Sequence, residues 1–598
     1  MSQITIGVGT NPNDGTGFPL RTCFQDINLN FTDLYAGTGS NYTGSGTGAV
    51  TRTTASKLGD LVSVKDFGAM GDGVTDDTAA FVAAINAASP ANNGNGLVNF
   101  YNWHKINGPL TIPDGVTLNG TGINVGQVNS GAYTPANISC ALVLNTANSI
   151  TLGNRCGVQN TLIISQALAP GGTYALPFAN ATVATNAVAA FSGNAFVPAT
   201  GTTQTDQRLE NLLVLGFSYV YNGLSAAGLN RPYFRRVYGD CTNGIHVVNV
   251  FDIGRAEDCE MWEFTTTNQS FTTNALLTRT GTAFYTGPGS TWMKWEDCFE
   301  YGWAIGHSVN GVQDIRQINC GADGPSSNQP GSGCVGFIYQ GSCGNWMNIG
   351  PTATQQANAG IYVNQTTQNN VSNGKVIGGT FHGNNSANGY INIQNCDSYS
   401  INSCVFIDNS SVGHIQLGAN ALQGSITDCT FANLGATNPI FGNATAISNV
   451  NVTNFTVDGS TTYTGQTPKT WTPGVSFGGT SVGVVYSVQA GIYTLDPTRR
   501  RATLDFKIIL TNKGSSTGQL KITGLPFVVN TSVVGNHGGG SISTFNNFTG
   551  LTGALFLNPN ESAATMDVFQ SAATGNGPVL DTNCTNTTTI YGSVSYYL

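Results

Sequence analysis

IGGTF (377–381), INSCVF (401–406), ITDCTF (426–431) and VNVTNF (450–455) are four versions of one pattern. Their closing phenylalanines, Phe381, Phe406, Phe431 and Phe455, fall at steps of 25, 25 and 24 residues, and each is preceded four or five residues earlier by Ile or Val. A period in the twenties suits a solenoid in which each repeat is one coil and adds one similar strand to a growing stack. The cysteines join the pattern as Asp240-Cys241, Asp258-Cys259, Asp297-Cys298, Asn319-Cys320, Asn395-Cys396 and Asp428-Cys429. The expectation is a ladder of small thiols inside the coil, with Asp and Asn in register beside them. Thirteen Cys at irregular spacing, with no CxxC pair, argue against a disulfide framework and against a zinc ribbon.

Outward from the repeats, composition narrows the partners. Charged residues are 9% of the 598, against roughly 25% in an average globular chain. With 40% hydrophobic and 10% aromatic residues the chain has the means to fold, which excludes disorder. A formal net charge of −9 disfavours nucleic acid and anionic lipid, and neutral or polyhydroxylated partners fit better. No apolar run approaches the roughly 18 residues of a membrane span. The start, MSQITIGVGTNPNDG, has neither the basic end nor the apolar core of a signal peptide, so synthesis in a cytoplasm is expected.

Upstream, Leu20, Phe24, Ile27, Phe31 and Leu34 form one stripe of a helix over 19–35, followed by a Gly/Ser/Thr linker over 37–48 that reads as flexible. VSVKDFGAMGDGVTDDTAAF (62–81) reads as a strand, a Gly-rich turn and a helix begun by Thr75. That helix, 76–88, buries Ala80, Phe81, Ala84 and Ile85 and caps the open end of the stack. Asp72, Asp76 and Asp77 read as turn and cap residues rather than as catalysts or calcium ligands. From 468 to 598 short strand-like runs predict a second all-β domain, a sandwich.

Three stretches carry a resemblance. NPNDGTGFPLRTCFQDINLNFTDLY (11–35) closely resembles a short segment near the N-termini of bacteriophage tail spikes and fibres, where it belongs to virion-attachment regions. The 62–81 stretch resembles the opening signature of pectate-lyase-like right-handed parallel β-helix proteins. TWTP (470–473), the turn at 514–518 and TGLPF (523–527) resemble C-terminal modules of phage tail fibres and spikes, which trimerise or contact glycans. The resemblance implies a virion-attachment segment and linker at 1–50, a catalytic or receptor-binding β-helix at 51–466 and a C-terminal β-sandwich at 467–598. It further implies a homotrimeric tailspike in the virion tail, assembled in the host cytoplasm and acting at the host cell surface on capsule or O-antigen. No cofactor, metal, nucleic acid or membrane insertion is expected.

The chemistry has an obvious place to look. In this acid-poor chain Asp252, Glu257, Asp258, Glu260 and Glu263 fall within 12 residues, and Glu296, Asp297 and Glu300 within five. Trp262, Trp292, Trp295 and Trp303, four of the chain's seven Trp, interleave with them beside Tyr301. Aromatic faces are platforms for sugar rings. Glycoside hydrolysis needs two carboxyls, roughly 5–5.5 Å apart for retention or 6.5–9.5 Å for inversion, and strands stacked about 4.8 Å apart supply either spacing. The catalytic candidates are therefore Asp258, Glu260, Asp297 and Glu300, with Trp262, Trp292, Trp295 and Trp303 as substrate platforms. The competing reading is that these acids form a solvated ladder, or pair with Arg255 and Lys294, the site then lying elsewhere, at Asp314 and Asp323 on the following coils or in a groove between subunits. The six His never occur at metal-ligand spacing. A lyase would take its base from His246, Arg255 or His307, and no GxSxG elbow supports an esterase.

Overall fold

The computed structural model describes residues 4–11, 14–35, 41–121, 138–267, 270–324, 334–365, 373–383, 388–407, 413–432, 439–453, 455–457, 461–463, 469–496, 501–529, 538–560, 562–572 and 575–597. Phe381, Phe406 and Phe431 are fully buried and stack in register, with ring centroids 5.1 and 5.0 Å apart. Their strands pair in parallel, Phe381 opposite Phe406 and Phe406 opposite Phe431, so the repeat is one coil of a parallel β-helix. Among the described residues, thirty-six strands join in this one sheet.

Three faces recur on each coil. The first runs through Gly254–Glu257, Met293–Glu296 and Arg316–Ile318. The second runs through Glu260–Met261, Phe299–Tyr301, Gly321–Asp323, Thr352–Thr354 and Thr380–His382. The third runs through Arg279–Thr286, Trp303–Asn310 and Val335–Gln340. A single left-handed residue turns the chain from the first face to the second: Asn211, Arg236, Asp258, Asp297 and Asn319 have φ between 50° and 52°. Asn and Asp tolerate that conformation best among residues with a Cβ, which is why they stand before Cys at 258, 297, 319 and 428, whereas Asp240 is buried against Arg279 and Asn395 lies within a strand. The following thiols, Cys259, Cys298 and Cys320, point inward, fully buried, and donate to carbonyls of the preceding coil or their own turn. None of the thirteen cysteines forms a disulfide, and burial pushes the Cys156 thiol up to about 12.

The N-terminal cap differs from expectation in where its helix starts. The helix is Thr78–Ala88 and buries Ala80, Phe81, Ala84 and Ile85 as read, but Asp72–Asp76 is extended and pairs with the strand Asn102–Ile106. The carboxylates are committed to turns instead. Asp72 accepts from the Val74 and Thr75 amides, and Asp77, buried, accepts from the Met70 and Gly71 amides while its Oδ2 lies 2.7 Å from His104 Nδ1.

Leu20–Tyr35 is the expected helix, with Leu20, Phe24, Phe31 and Leu34 exposed. The linker holds more order than its composition suggests, because Asn41–Thr43 pairs antiparallel with Thr51–Thr53. The chain divides into two compact units, one mostly residues 1–424 with 429–447, the other mostly 460–598. Among its described residues, the second unit is a ten-stranded antiparallel sheet. Trp471, Val475, Leu504, Ile522, Leu557, Val568 and Val594, from seven of its strands, meet in one core, so the sheet closes over itself in the manner of a sandwich.

Candidate active site

Residues one and three places after each corner cysteine lie on the outside of the second face, and those two places after lie inside. That alternation puts Glu260 and Trp262, then Phe299 and Tyr301, then Gly321 and Asp323 on consecutive coils of one outer surface. Thr354 and His382 continue the Tyr301–Asp323 row. The indole of Trp262 lies 5.9 Å from the Phe299 ring and 5.2 Å from that of Tyr301, building a half-buried aromatic wall between the two acids.

Both acids hold their protons unusually well. Burial, and then the charge of Asp258, pushes the Glu260 carboxyl up to about 7. Burial pushes Asp323 up to about 6, against the pull of His382. Burial likewise raises the Tyr301 hydroxyl to about 12, with Glu263 and Asp323 adding to it. Two acids that differ in proton affinity, both titrating near neutrality on one surface, are the makings of an acid–base pair. Among the described residues of these five coils, the outer positions of the second face carry no Lys or Arg.

The structure does not bring the four acids singled out from the sequence onto one surface. Asp258 and Asp297 are the left-handed corner residues, and Asp258 is paired with Arg236 at 3.0 Å, both about half exposed. Glu300, two places after Cys298, points into the coil between Met261 and Ala322 and is fully buried. Its Oε2 accepts from the Trp303 amide at 3.0 Å, and burial holds its pKa well above the carboxylate range. Glu263 is likewise fully buried, and burial raises its carboxyl well above the ordinary range, beside the interior ion pair of Arg279 with Asp240 at 2.8 Å.

The tryptophans divide in the same way. Trp295 and Trp303 are 1% exposed, their indole N–H groups donating to Thr286 Oγ1 and the Thr242 carbonyl, so neither offers a face to a ligand. Trp262 lines the outer surface. Trp292 is 52% exposed but stands at the corner between the third and first faces, where Asp314 also sits with φ of 56°. Of the proposed lyase bases, His246 and His307 are buried, and burial drives them down to about 4 and about 3. Lys294 pairs with Glu296 at 2.5 Å, as the ladder reading expected. No group of three or more His, Cys, Asp or Glu able to hold a metal occurs among the described residues.

No protein-family model matches the chain. Among curated proteins, depolymerase 1 of Klebsiella phage K5-2, described as capsule K30/K69-specific, is 47% identical over 65 residues, which is 11% of this chain and 8% of that protein. The chain thus matches only a small part of that relative's length. Among solved structures, the Dettilon tailspike protein superposes with a TM-score of 0.54 at 13% identity, covering 91% of this chain and 95% of that one. A mutant tailspike protein of E. coli bacteriophage HK620, crystallised with a pentasaccharide, gives 0.48 at 12% identity over 96% and 100% of the two chains. The likeness to the Dettilon protein shows that the chain has the fold of a tailspike β-helix.

Proposed function

We propose that the protein is a phage tailspike that binds a bacterial surface polysaccharide, capsule or O-antigen, and depolymerises it by glycoside hydrolysis on the second face of its β-helix. The observation that carries this reading is the pair Glu260 and Asp323, half-buried on one outer surface and flanked by Trp262, Phe299 and Tyr301. Glu260 acts as the general acid that protonates the leaving oxygen, because its carboxyl is still half protonated near pH 7. Asp323 is the base. Asp258 keeps its place beside Glu260 as the charge that raises it, whereas Asp297 and Glu300 serve the corner and the interior. Two coils and two strand positions separate Glu260 from Asp323, about 12 Å between Cα atoms, which is far beyond the roughly 5–5.5 Å of a retaining pair and nearer the roughly 6.5–9.5 Å of an inverting pair, a spacing the two side chains reach only by leaning toward each other.

Hydrolysis is favoured over elimination because, among the described residues, the outer positions of the second face around Glu260 and Asp323 carry no Lys or Arg to neutralise a uronate, and the basic His382 stands two coils beyond Asp323. The match to a Klebsiella phage depolymerase and the tailspike fold support a capsule-degrading role at the tail of a virion. Residues 1–50 attach the spike to the virion, and three chains assemble, which covers the exposed apolar stripe of the Leu20–Tyr35 helix. The test is digestion of purified polysaccharide from a susceptible host by wild type and by Glu260→Gln. New reducing ends that disappear in the variant support the reading. Undigested polymer, or ultraviolet-absorbing unsaturated ends, refutes it.

A further inference from the structure

Between residues 98 and 457, six large apolar side chains are exposed among the described residues. Four of them, Leu224, Phe251, Ile253 and Trp292, lie where the chain passes from the third face of one coil to the first face of the next. Ile253 and Trp292 also hold φ of 66° and 60°, a left-handed conformation in which a β-branched or bulky side chain is a genuine outlier. The following coil shows the ordinary solution at the same place, Asp314 at 56°. This corner therefore combines backbone strain with exposed apolar surface. Closing the coil requires neither, and both are marks of a surface kept for a partner.

The charges beside the corner indicate which partner. Two places after Ile253, Trp292 and Asp314 come Arg255, Lys294 and Arg316, in register on three consecutive coils of the first face. Arg255 and Arg316 make no ion pair among the described residues, whereas Lys294 is held by Glu296. The corner itself carries acids: Asp314, and Asp252, whose side chain is 61% exposed although Arg231 holds one of its oxygens. An acidic and apolar row thus runs alongside a basic row, coil by coil. Rotation about an axis parallel to the stack leaves every coil at its own height. It sets the corner row of one copy against the basic row of the next, so that Asp252 meets Arg255, the Trp292 ring meets the Lys294 ammonium, and Asp314 meets Arg316. A contact between two different patches closes into a ring when the rotation closes. The corner stands opposite the second face, so such a ring leaves Glu260 and Asp323 facing outward.

We infer that the corner between the third and first faces is the surface on which copies of this chain pack, with Asp252, Ile253, Trp292 and Asp314 of one copy against Arg255, Lys294 and Arg316 of the next. The inference rests on the reading that three chains assemble, to which it adds the surface. The test is cross-linking of the full chain after light scattering has counted the subunits of the wild type. Asp314→Cys combined with Arg316→Cys, oxidised in solution, should run as a disulfide-linked trimer on a non-reducing denaturing gel. Asp314→Cys combined with Arg255→Cys should not, because two coils, about 10 Å, separate those positions along the axis and a disulfide spans less than about 7 Å between Cα atoms. Arg255→Glu with Arg316→Glu sets acid against acid and should raise the concentration at which the assembly dissociates about tenfold or more. Adding Asp252→Lys and Asp314→Lys should reverse that loss. A wild type of one chain contradicts the assembly reading and this surface with it. Three chains with no cross-link at 314 and 316, equal cross-linking at 314 and 255, or no rescue by the lysine pair overturns the surface alone.

Discussion

Glu260 with a pKa of about 7 and Asp323 with one of about 6 dictate the pH dependence of catalysis, provided Glu260 acts protonated and Asp323 ionised. At pH 8 about a tenth of Glu260 retains its proton, and at pH 5 about a tenth of Asp323 has lost its own. The rate should therefore peak between about pH 6 and 7 and fall close to tenfold per unit beyond about pH 5.5 and 7.5. Each limb has an owner that substitution identifies. Asp323→Asn should abolish the acidic limb and cost roughly 10²–10⁴ in rate, the worth of one general acid or base. Asp258→Asn is more diagnostic, because Asp258 makes no proton transfer in this scheme. Its negative charge raises Glu260, so its removal lowers the acid's pKa and moves the alkaline limb to lower pH while the acidic limb stays put. The assay is initial rate of reducing-end release across about pH 4.5 to 9 at constant ionic strength. A profile flat over that range, or an alkaline limb unmoved by Asp258→Asn, refutes the assignment.

Other consequences follow from the buried groups. Glu300 is held neutral in the fold, so the folded state keeps a proton that the unfolded chain releases above its ordinary value of 4.5. Stability is then fully present below that value and declines as pH rises, and Glu300→Gln should flatten this decline in urea unfolding measured at about pH 5 and 9 without abolishing turnover. Asp77→Ala should cost about 3–5 kcal/mol, because it leaves the buried His104 and two backbone amides without their acceptor, and faster unfolding in denaturant would show it. Trp303→Ala should cost a similar amount by opening a cavity in the coil, whereas Trp262→Ala, which removes a half-buried ring bonded to Thr267, should lower the unfolding midpoint less and raise KM. Deleting residues 1–50 should leave folding and digestion intact and abolish incorporation into virions, which an infection assay reads directly.

The coil was legible in the sequence because a parallel stack repeats its interior at fixed intervals, and Phe381, Phe406 and Phe431 report that interval without interruption. The placement of the acids was encoded less openly, in the register of Cys259, Cys298 and Cys320. One and three places on, the side chain faces out, as at Glu260 and Asp323; two places on, it faces in, as at Glu300. Counting acids and tryptophans along the chain ignores that alternation, which is why Glu300, Trp295 and Trp303 looked like site residues. Asp258 and Asp297 misled for a different reason. An Asp before a Cys in a repeat signals a left-handed turn as readily as a catalyst, and only the backbone angle separates the two. The cap helix begins at Thr78 rather than Asp76 because Asp77 Oδ1 and Oδ2 hold the Met70 and Gly71 amides, a tertiary contact with no local signature.

The most direct test of the central claim is proton NMR of the polysaccharide during digestion, followed at the anomeric signals of the newly formed ends. Inverting hydrolysis at Glu260 and Asp323 predicts a new reducing end that appears first as a single anomer, opposite in configuration to the cleaved bond, and that fails to appear with Glu260→Gln or Asp323→Asn. A first-formed anomer that keeps the original configuration, an unsaturated terminal ring, or undiminished cleavage by both variants contradicts it.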